Sequence, residues 1–220
     1  MCVISSTSGN ISVNSLLLTD MLRQASLCVL FSYVLLGIAA NRPTTKTLFL
    51  DNGFDAGKWG EDEFCEEGSF AMDIEVKYKV HNVLHLDENA VNAVKLYCSK
   101  PDGTMANYIT STEGEEGTWQ GMKSCSHGLM TGVRAKILPN KGLFGDDEAM
   151  QNVEMECDGG LSTILAMPEH ANFSTVNWSS WDKCGRSSAV CGIKIRYEPP
   201  NLVDDDVAVS DMTLYCCSLN

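Results

Sequence analysis

Two series of cysteines recur along this chain at an almost constant interval. The first series is Cys65, Cys125 and Cys184, and the second is Cys98, Cys157 and Cys216. The intervals are 60 and 59 positions in the first series and 59 and 59 in the second. A fixed period of this length is typical of repeated structural units. The chain is therefore predicted to contain three copies of one unit of about sixty residues.

Tryptophan and aspartate keep the same register as the cysteines. A tryptophan stands six positions before each first-series cysteine, and an aspartate that opens a D-[DE]-x-A motif stands eleven positions before each second-series cysteine. These residues are Trp59, Trp119 and Trp178, and Asp87, Asp146 and Asp205. Agreement between several residue types separates a true repeat from a coincidence of cysteine spacing.

Alternating apolar residues predict that each unit is mostly β-structure. From Phe70 to Tyr78, every second residue is apolar, which is the period of a strand with one buried face. This pattern predicts that Phe70 and Met72 point into the core. The corresponding segments are 133–137 and 193–197, and a second strand closes each unit at 94–98, 153–157 and 212–216, with its cysteine on the apolar face. No window has convincing helical periodicity.

Three such sheets cannot each bury a two-sided core, so we expect them to pack around a common pseudo-threefold axis as a prism or short barrel. Residues 41–220 are predicted to form one all-β domain with repeats at about 48–104, 105–160 and 161–217.

The N-terminal segment resembles a signal peptide. A short basic start at 21–23 precedes an apolar stretch at 27–36 and small residues at 37–40. We expect residues 1–40 to be removed, with translation starting at Met21 and residues 1–20 an extension of the gene model. Removal takes away Cys2 and Cys28 and leaves eight cysteines, an even set, so the mature protein is predicted to be secreted and fully disulfide-bonded.

The charge balance excludes one class of partner. A formal net charge of −13 and a sequence pI near 4.6 repel phosphate backbones and anionic lipid surfaces. Nucleic acid is not an expected partner, and no membrane span is expected after signal cleavage.

The repeated motifs carry a resemblance to a known family. The thrice-repeated W-x5-C and D-[DE]-x-A-x7-C, the W-G-E at 59–61 and the closing L-Y-C-C at 214–217 are similar to the vitelline membrane outer layer protein 1 family. The match spans about Leu48 to Cys217. Similar proteins usually carry Asn six positions before the closing cysteine, where this chain has Asn92 but Gln151 and Ser210.

The resemblance implies a secreted β-prism of three Greek-key sheets, with disulfides confined to each repeat. The implied bonds are Cys65–Cys98, Cys125–Cys157, and two nested bonds in the third unit, Cys184–Cys217 and Cys191–Cys216. Because related β-prisms include lectins, it also implies sugar binding, at the level of fold analogy only.

The acidic motifs are the candidate ligand-binding residues: Asp87, Glu88, Asp146, Asp147, Asp205 and Asp206. Carboxylates accept hydrogen bonds from sugar hydroxyls, and equivalent positions in a threefold fold meet at one end of the axis. The alternative is that each Asp caps a turn by accepting bonds from backbone N–H groups, which we favour. Paired carboxylates for glycoside chemistry are a third interpretation.

The tryptophans also have two interpretations. They could stack on sugar rings, but their repetition in step with the cysteines favours packing in the core. Burial of these rings would argue against a lectin.

Other signals are sparse. No catalytic residue, metal ligand set or cofactor motif is expected, since the four histidines are scattered and the third-unit cysteine spacings do not fit common zinc modules. Asn172 and Asn177 open N-x-S triplets and are predicted glycosylation sites.

The sequence thus predicts a secreted, non-catalytic component of an extracellular coat, with extracellular glycoproteins or glycans as partners. A lectin-like module that binds N-acetylglucosamine oligomers and a weak carbohydrate transferase are the alternatives.

Overall fold

The computed structural model describes residues 42–79, 90–138, 149–168, 177–199 and 208–220. Within these ranges the chain is built from strands and one short 3₁₀ turn, Asp158–Gly160. Over the same ranges, no helix has the length and apolar character needed to cross a bilayer. The predicted signal segment, 1–40, lies outside the described residues.

The described residues form fourteen strands, and in each repeat two long strands are accompanied by shorter ones. The strands are β1 (Lys46–Phe49), β2 (Lys58–Trp59), β3 (Glu63–Phe64), β4 (Phe70–Lys79), β5 (Ala90–Ser99), β6 (Met105–Ile109), β7 (Thr118–Trp119), β8 (Lys123–Ser124), β9 (Met130–Ile137), β10 (Met150–Cys157), β11 (Ser162–Leu165), β12 (Asp182–Lys183), β13 (Ser188–Tyr197) and β14 (Val209–Ser218).

These strands form three antiparallel sheets with Greek-key order. The first sheet runs β6-β5-β4-β7, with β8 also on β4, and the second runs β11-β10-β9-β12. The third runs β1-β14-β13-β2, with β3 also on β13. In the first two sheets, a fourth strand returns beside the first of three consecutive strands, which defines the Greek key. The predicted all-β prism of three such sheets is confirmed.

No sheet belongs to one repeat alone. The tryptophan of each repeat lies on the preceding sheet: Trp59 pairs with Arg196 of β13, Trp119 pairs with Lys77 of β4, and Trp178 forms a bridge with Lys136 of β9. The third sheet is completed by β1 and β2 from the start of the described chain. The three repeats therefore exchange strands in a closed ring.

The core lies between the three sheets and contains the inward residues of all the long strands. Its largest fully buried side chains include Ile74, Leu96, Met155, Ile193 and Leu214. One apolar cluster contains residues from every repeat, so the prism has a single core. Burial of this shared surface is the main driving force for folding.

A β-bulge near the start of the first long strand corrects one prediction. The pairing of β4 with β5 shifts between Ala71 and Asp73, which leaves Met72 as the extra residue. Ala71 is therefore the residue in the main core, whereas Phe70 packs in a smaller, separate cluster. The prediction that Phe70 and Met72 share the core face with Ile74 was wrong, because an inserted residue reverses the alternation.

Equivalent bulges occur in all three sheets and anchor the first-series cysteines. The bulge residues are Met72, Thr131 and Cys191. The carbonyl of each accepts a bond from the N–H of the next first-series cysteine: Cys125 at 3.1 Å, Cys184 at 2.8 Å and Cys65 at 2.8 Å, respectively. Each first-series cysteine is thus held on the sheet that precedes its own repeat.

Three disulfides consequently join different sheets. The bonds are Cys65–Cys98, Cys125–Cys157 and Cys184–Cys216. In each, the first cysteine lies on one sheet and the second lies in a long strand of the next. The first two bonds are those that the resemblance implied.

The nested pairing expected in the third unit is wrong, because the partners are exchanged. The structure contains Cys184–Cys216 and Cys191–Cys217, not Cys184–Cys217 and Cys191–Cys216. Neighbouring residues of a strand point to opposite faces. Cys216 therefore lies in the main core, whereas Cys217 lies with Cys191 in the smaller cluster.

Candidate functional site

The predicted acidic residues lie outside the described residues, but the strand ends beside them are described. Ala90, Ala149 and Ala208 end the three D-[DE]-x-A motifs, and they pack together in one buried cluster. Each is at most 5% exposed. Equivalent strand ends from all three repeats therefore meet on the pseudo-threefold axis. Whether Asp87, Glu88, Asp146, Asp147, Asp205 and Asp206 act together at this end remains a prediction.

A buried polar residue follows two positions after each of these alanines. Asn92, Gln151 and Ser210 are all buried, yet each has different partners. Asn92 Oδ1 accepts a bond from the Tyr197 hydroxyl at 3.4 Å. The Ser210 hydroxyl donates to the carbonyl of Ala56 at 2.7 Å. The Gln151 amide donates to the carbonyl of Ala149 at 3.4 Å.

Among these three side chains, one polar atom is unsatisfied. Asn92 Nδ2 is buried and has no hydrogen-bond partner within the described part of the chain. Because each position bonds a different part of the chain, the polar layer below the alanines does not repeat threefold.

The in-phase tryptophans lie on the outer faces of the sheets, which corrects the prediction that they pack in the core. Trp59 is 39% exposed, and Trp119 and Trp178 are half-buried. Each belongs to a short strand or bridge at a sheet edge, where its ring covers a cation of the long strands. The cation-to-centroid distances are 5.5 Å for Arg196 on Trp59, 3.7 Å for Lys95 on Trp119 and 4.8 Å for Arg134 on Trp178. Each ring thus takes part in a cation–π contact on the sheet surface rather than packing in the core.

The outer face of the second sheet carries a dense ionic layer. Arg134 pairs with Glu154 at 2.5 Å and lies 4.9 Å from the ring centroid of Trp181. Lys183 pairs with Glu156, whose side chain is buried. These charges are matched internally, so this face offers little unpaired charge to a ligand.

One carboxyl has a strongly perturbed pKa. Burial raises the pKa of Asp211 to about 6, and nearby Asp55 acts in the same direction. A bond from the Met212 N–H to Asp211 Oδ1, at 2.7 Å, and the positive charge of Arg196 oppose this increase. A raised carboxyl pKa is one requirement of a glycoside-processing acid.

A cleft of about 250 Å³ opens near the starts of the long strands β4 and β9. It is far from Ala90, which pairs with Lys79 at the opposite end of β4. All three repeats line it, through Met72 of the first, Leu129 of the second and Ala189 of the third. Leu219, beyond the third repeat, also lines the cleft. Neither Asp211 nor Asp55 lines the cleft, so the perturbed carboxyl and the concave surface do not coincide.

No grouping of three or more His, Cys, Asp or Glu side chains suited to a metal ion occurs in the portion of the chain that the structure describes. Asn177 is exposed, as a glycan acceptor must be, whereas Asn172 lies outside the described residues. Ser179 of the Asn177 triplet is buried, and its hydroxyl accepts the N–H of Ala135 at 3.0 Å.

These features define a β-prism of three internal repeats with disulfides across its sheet boundaries. The chain belongs to the vitelline membrane outer layer protein I family, whose profile matches residues 46–219.

Two mammalian proteins are similar to the chain. The vitelline membrane outer layer protein 1 homolog of Mus musculus is 25% identical over 171 residues, covering 76% of this chain and 81% of that protein. The homolog of Homo sapiens is 24% identical over 174 residues, covering 79% of this chain and 83% of that protein.

Solved structures resemble the fold at low identity. The structure of the artocarpin–mannotriose complex gives a TM-score of 0.49 at 12% identity, covering 80% of this chain and 99% of that one. A mannose-specific jacalin-related lectin from Morus nigra gives 0.48 at 10% identity, covering 82% and 99%. The biofilm matrix protein Bap1 of V. cholerae gives 0.48 at 10% identity, covering 82% of this chain and 24% of that one.

Proposed function

We propose that this protein is a secreted, non-catalytic structural component of an extracellular coat of the vitelline-membrane outer-layer type, and that it associates with glycans or glycoproteins there. The observation that carries the proposal is the set of three disulfides that join the sheets in a ring. Membership of the vitelline membrane outer layer family supports the extracellular setting.

The bonding pattern suits a protein that must persist outside the cell. Cys65–Cys98, Cys125–Cys157 and Cys184–Cys216 close loops of similar length, with sequence separations of 33, 32 and 32. Each bond of this kind stabilises a fold by roughly 3 to 4 kcal/mol in the chain-entropy treatment. Because each also joins two sheets, opening one face requires breaking a covalent link. Resistance to proteases follows, since proteases cleave transiently opened chains.

Deposition on a coat tests the proposal directly. Vitelline membranes stripped of their outer layer are incubated with the oxidised protein and with protein that has been reduced and alkylated. We expect only the oxidised protein to remain bound after washing and to survive added trypsin. Equal loss of both forms to washing would contradict the coat role.

The lectin-like module is a second candidate, and the surface position of the tryptophans supports it. Trp59, Trp119 and Trp178 are at least partly exposed, so their rings are not committed to the core. A glycan-array screen of the deglycosylated protein, with N-acetylglucosamine oligomers included, tests this function.

The acidic motifs give the lectin hypothesis a residue-level test. Asp87→Asn, Asp146→Asn and Asp205→Asn should weaken glycan binding with little change in melting temperature if these carboxylates hold a ligand. If they cap turns instead, replacement with Ala should cost about 0.5 to 2 kcal/mol, by analogy with helix caps, and leave binding unchanged.

A further inference from the structure

We propose that the outer face of the first sheet binds an acidic sugar, a pyranose that carries a carboxylate or a sulfate, on a platform formed by Tyr108, Trp119 and Lys95. This inference rests on the proposed glycan association and assigns it a site. The platform lies on the face of a long, hydrogen-bonded sheet, and none of its three residues lines the cleft at the strand starts.

The platform consists of aromatic rings around one ammonium group. Lys95 Nζ lies 3.7 Å from the ring centroid of Trp119 and 5.1 Å from that of Tyr108. Tyr97 extends the surface, with its ring centroid 6.2 Å from that of Tyr108. Tyr108 is 60% exposed, so its ring is open to a partner. Aromatic rings of this kind stack on the apolar faces of sugars.

Lys95 is a cation without a carboxylate partner among the described residues, although a carboxylate lies directly opposite it. Glu75 is its register partner across β4 and β5. Both oxygens of Glu75 are engaged: Oε2 accepts the Tyr97 hydroxyl at 2.7 Å, and Oε1 accepts the Gly121 N–H at 3.0 Å. These bonds hold Glu75 away from Lys95. The ammonium is left with ring faces as neighbours and with donors available for an external anion.

The two lysines near the end of β4, in the same sheet, are paired with carboxylates. Lys77 pairs with Glu113 at 2.9 Å and also donates to the carbonyl of Gly114 at 2.8 Å. Lys79 pairs with Glu116 at 2.5 Å. Lys95 therefore differs from both, and its charge complements a carboxylate or sulfate beside the open ring of Tyr108.

The other two sheets lack this arrangement at equivalent positions. In the first sheet, Tyr108 lies opposite Tyr97. At the equivalent position, the third sheet has Thr47 opposite Tyr215. The second sheet has Thr163 opposite Glu156.

The position of Lys95 is taken by Thr213 in the third sheet and by Glu154 in the second. Glu154 is already paired with Arg134 there. The platform thus departs from the repeat. The threonines and the glutamate at the equivalent positions show that the same backbone accepts these residue types there.

Matched variants follow from this comparison. Tyr108→Thr and Lys95→Thr install residues that the same fold already carries at equivalent positions. Thr163→Ala alters the equivalent surface of the second sheet and is the control. Melting temperatures of all three should stay close to that of the unchanged protein, because the substituted side chains lie on the outer face.

The experiment measures binding of three sugars to the full mature protein. The probes are 3′-sialyllactose, which carries a carboxylate, N-acetylglucosamine 6-sulfate, and neutral lactose. Dissociation constants come from NMR titration, with Trp119 indole shifts as the local readout. We expect at least one acidic sugar to bind about tenfold more tightly than lactose, and each platform variant to weaken that binding about tenfold. Thr163→Ala should change nothing, and added salt should weaken binding.

Three results would overturn the site. If both platform variants bind the acidic sugar as the unchanged protein does, the site is wrong while glycan association stands. If lactose binds as tightly as the acidic sugars, the assigned ligand chemistry is wrong. If none of the three probes binds, the platform is not a sugar site, and deposition on stripped membranes still decides the coat function independently.

Discussion

The exchanged disulfides of the third repeat can be tested with two double variants that share one substitution. Cys184→Ala/Cys216→Ala removes both halves of one observed bond and leaves Cys191–Cys217 intact. Cys184→Ala/Cys217→Ala removes one half of each bond. The remaining Cys191 and Cys216 lie in different clusters, so they cannot pair without rearrangement of the strand.

The expected losses follow from loop length. Cys184–Cys216 has a sequence separation of 32 and Cys191–Cys217 of 26. The chain-entropy relation gives about 3.7 and about 3.5 kcal/mol for loops of these lengths. The first variant should therefore lose about 3.7 kcal/mol of unfolding free energy, and the second about 7. The larger loss is comparable to the whole stability of an ordinary domain, roughly 5 to 15 kcal/mol.

Two measurements distinguish the variants. Alkylation under denaturing conditions followed by intact-mass measurement should find no free thiol in the first variant and two in the second. Guanidinium unfolding gives the stability difference. Cys125→Ala/Cys157→Ala is the matched control, because its bond also has a separation of 32, and it should lose about the same free energy as the first variant.

Reversed thiol counts in the two variants would contradict the pairing seen in the structure. A Cys184→Ala/Cys217→Ala variant without free thiols, and as stable as the control, would mean that Cys191 pairs with Cys216. The nested arrangement would then be correct.

Four further predictions rest on single features. Asp211→Asn should remove a pH dependence of the unfolding free energy. Because the folded pKa of Asp211, about 6, exceeds the ordinary aspartate value of 3.8, the contribution of this carboxyl to stability is complete below pH 4 and declines as pH rises through 6. Partial exposure reduces the effect to about 1 kcal/mol, measurable by urea unfolding from pH 4 to 7, and an unchanged pH profile would contradict it. Ala149→Leu should overpack the alanine cluster and cost about 1 to 3 kcal/mol by the same assay, whereas a loss below about 0.5 would mean that the strand ends are not in contact. Secreted protein should lack residues 1–40, and Asn177→Gln should lower its mass by one N-glycan; an N-terminus before Met21 or an unchanged glycan mass would refute these expectations.

The repeat could be predicted from sequence because it is expressed in conserved spacings within one chain. Cysteine and tryptophan intervals imply equivalent positions, and alternating apolar residues imply strands with one buried face. Together they require three sheets around an axis. They do not reveal that Trp59 lies on the sheet of the third repeat, because the spacing between residues does not show which sheet each residue joins. For the same reason, spacing alone does not distinguish a tryptophan in the core from one on the outer face of a neighbouring sheet.

Two other sequence predictions, the core face of the first long strand and the third-unit disulfides, were wrong for different physical reasons. The bulge at Met72 adds one residue to a regular pattern, and the alternation of side chains around it still looks continuous in sequence. The third-unit pairing could have been derived, since Cys216 shares the 59-residue interval with Cys98 and Cys157. Period-two geometry then directs Cys217 to the opposite face.

The first-sheet platform was not predicted because it departs from the repeat. Tyr108 and Lys95 occupy positions at which the other repeats have threonine or glutamate, so no recurring motif marks them. Their proximity arises only from the pairing of β5 with β6.

The exchange of strands between repeats also limits how such a chain can change in evolution. Open arrays of repeats can lengthen by one unit, because each unit contacts only its neighbours along a line. Here the first repeat supplies β1 and β2 to the last sheet, so the array ends where it begins. A fourth copy would have to separate these partners and widen the core around the axis, and a chain with two copies would leave sheet edges unpaired. The number of repeats is thus set by geometric closure of the three sheets.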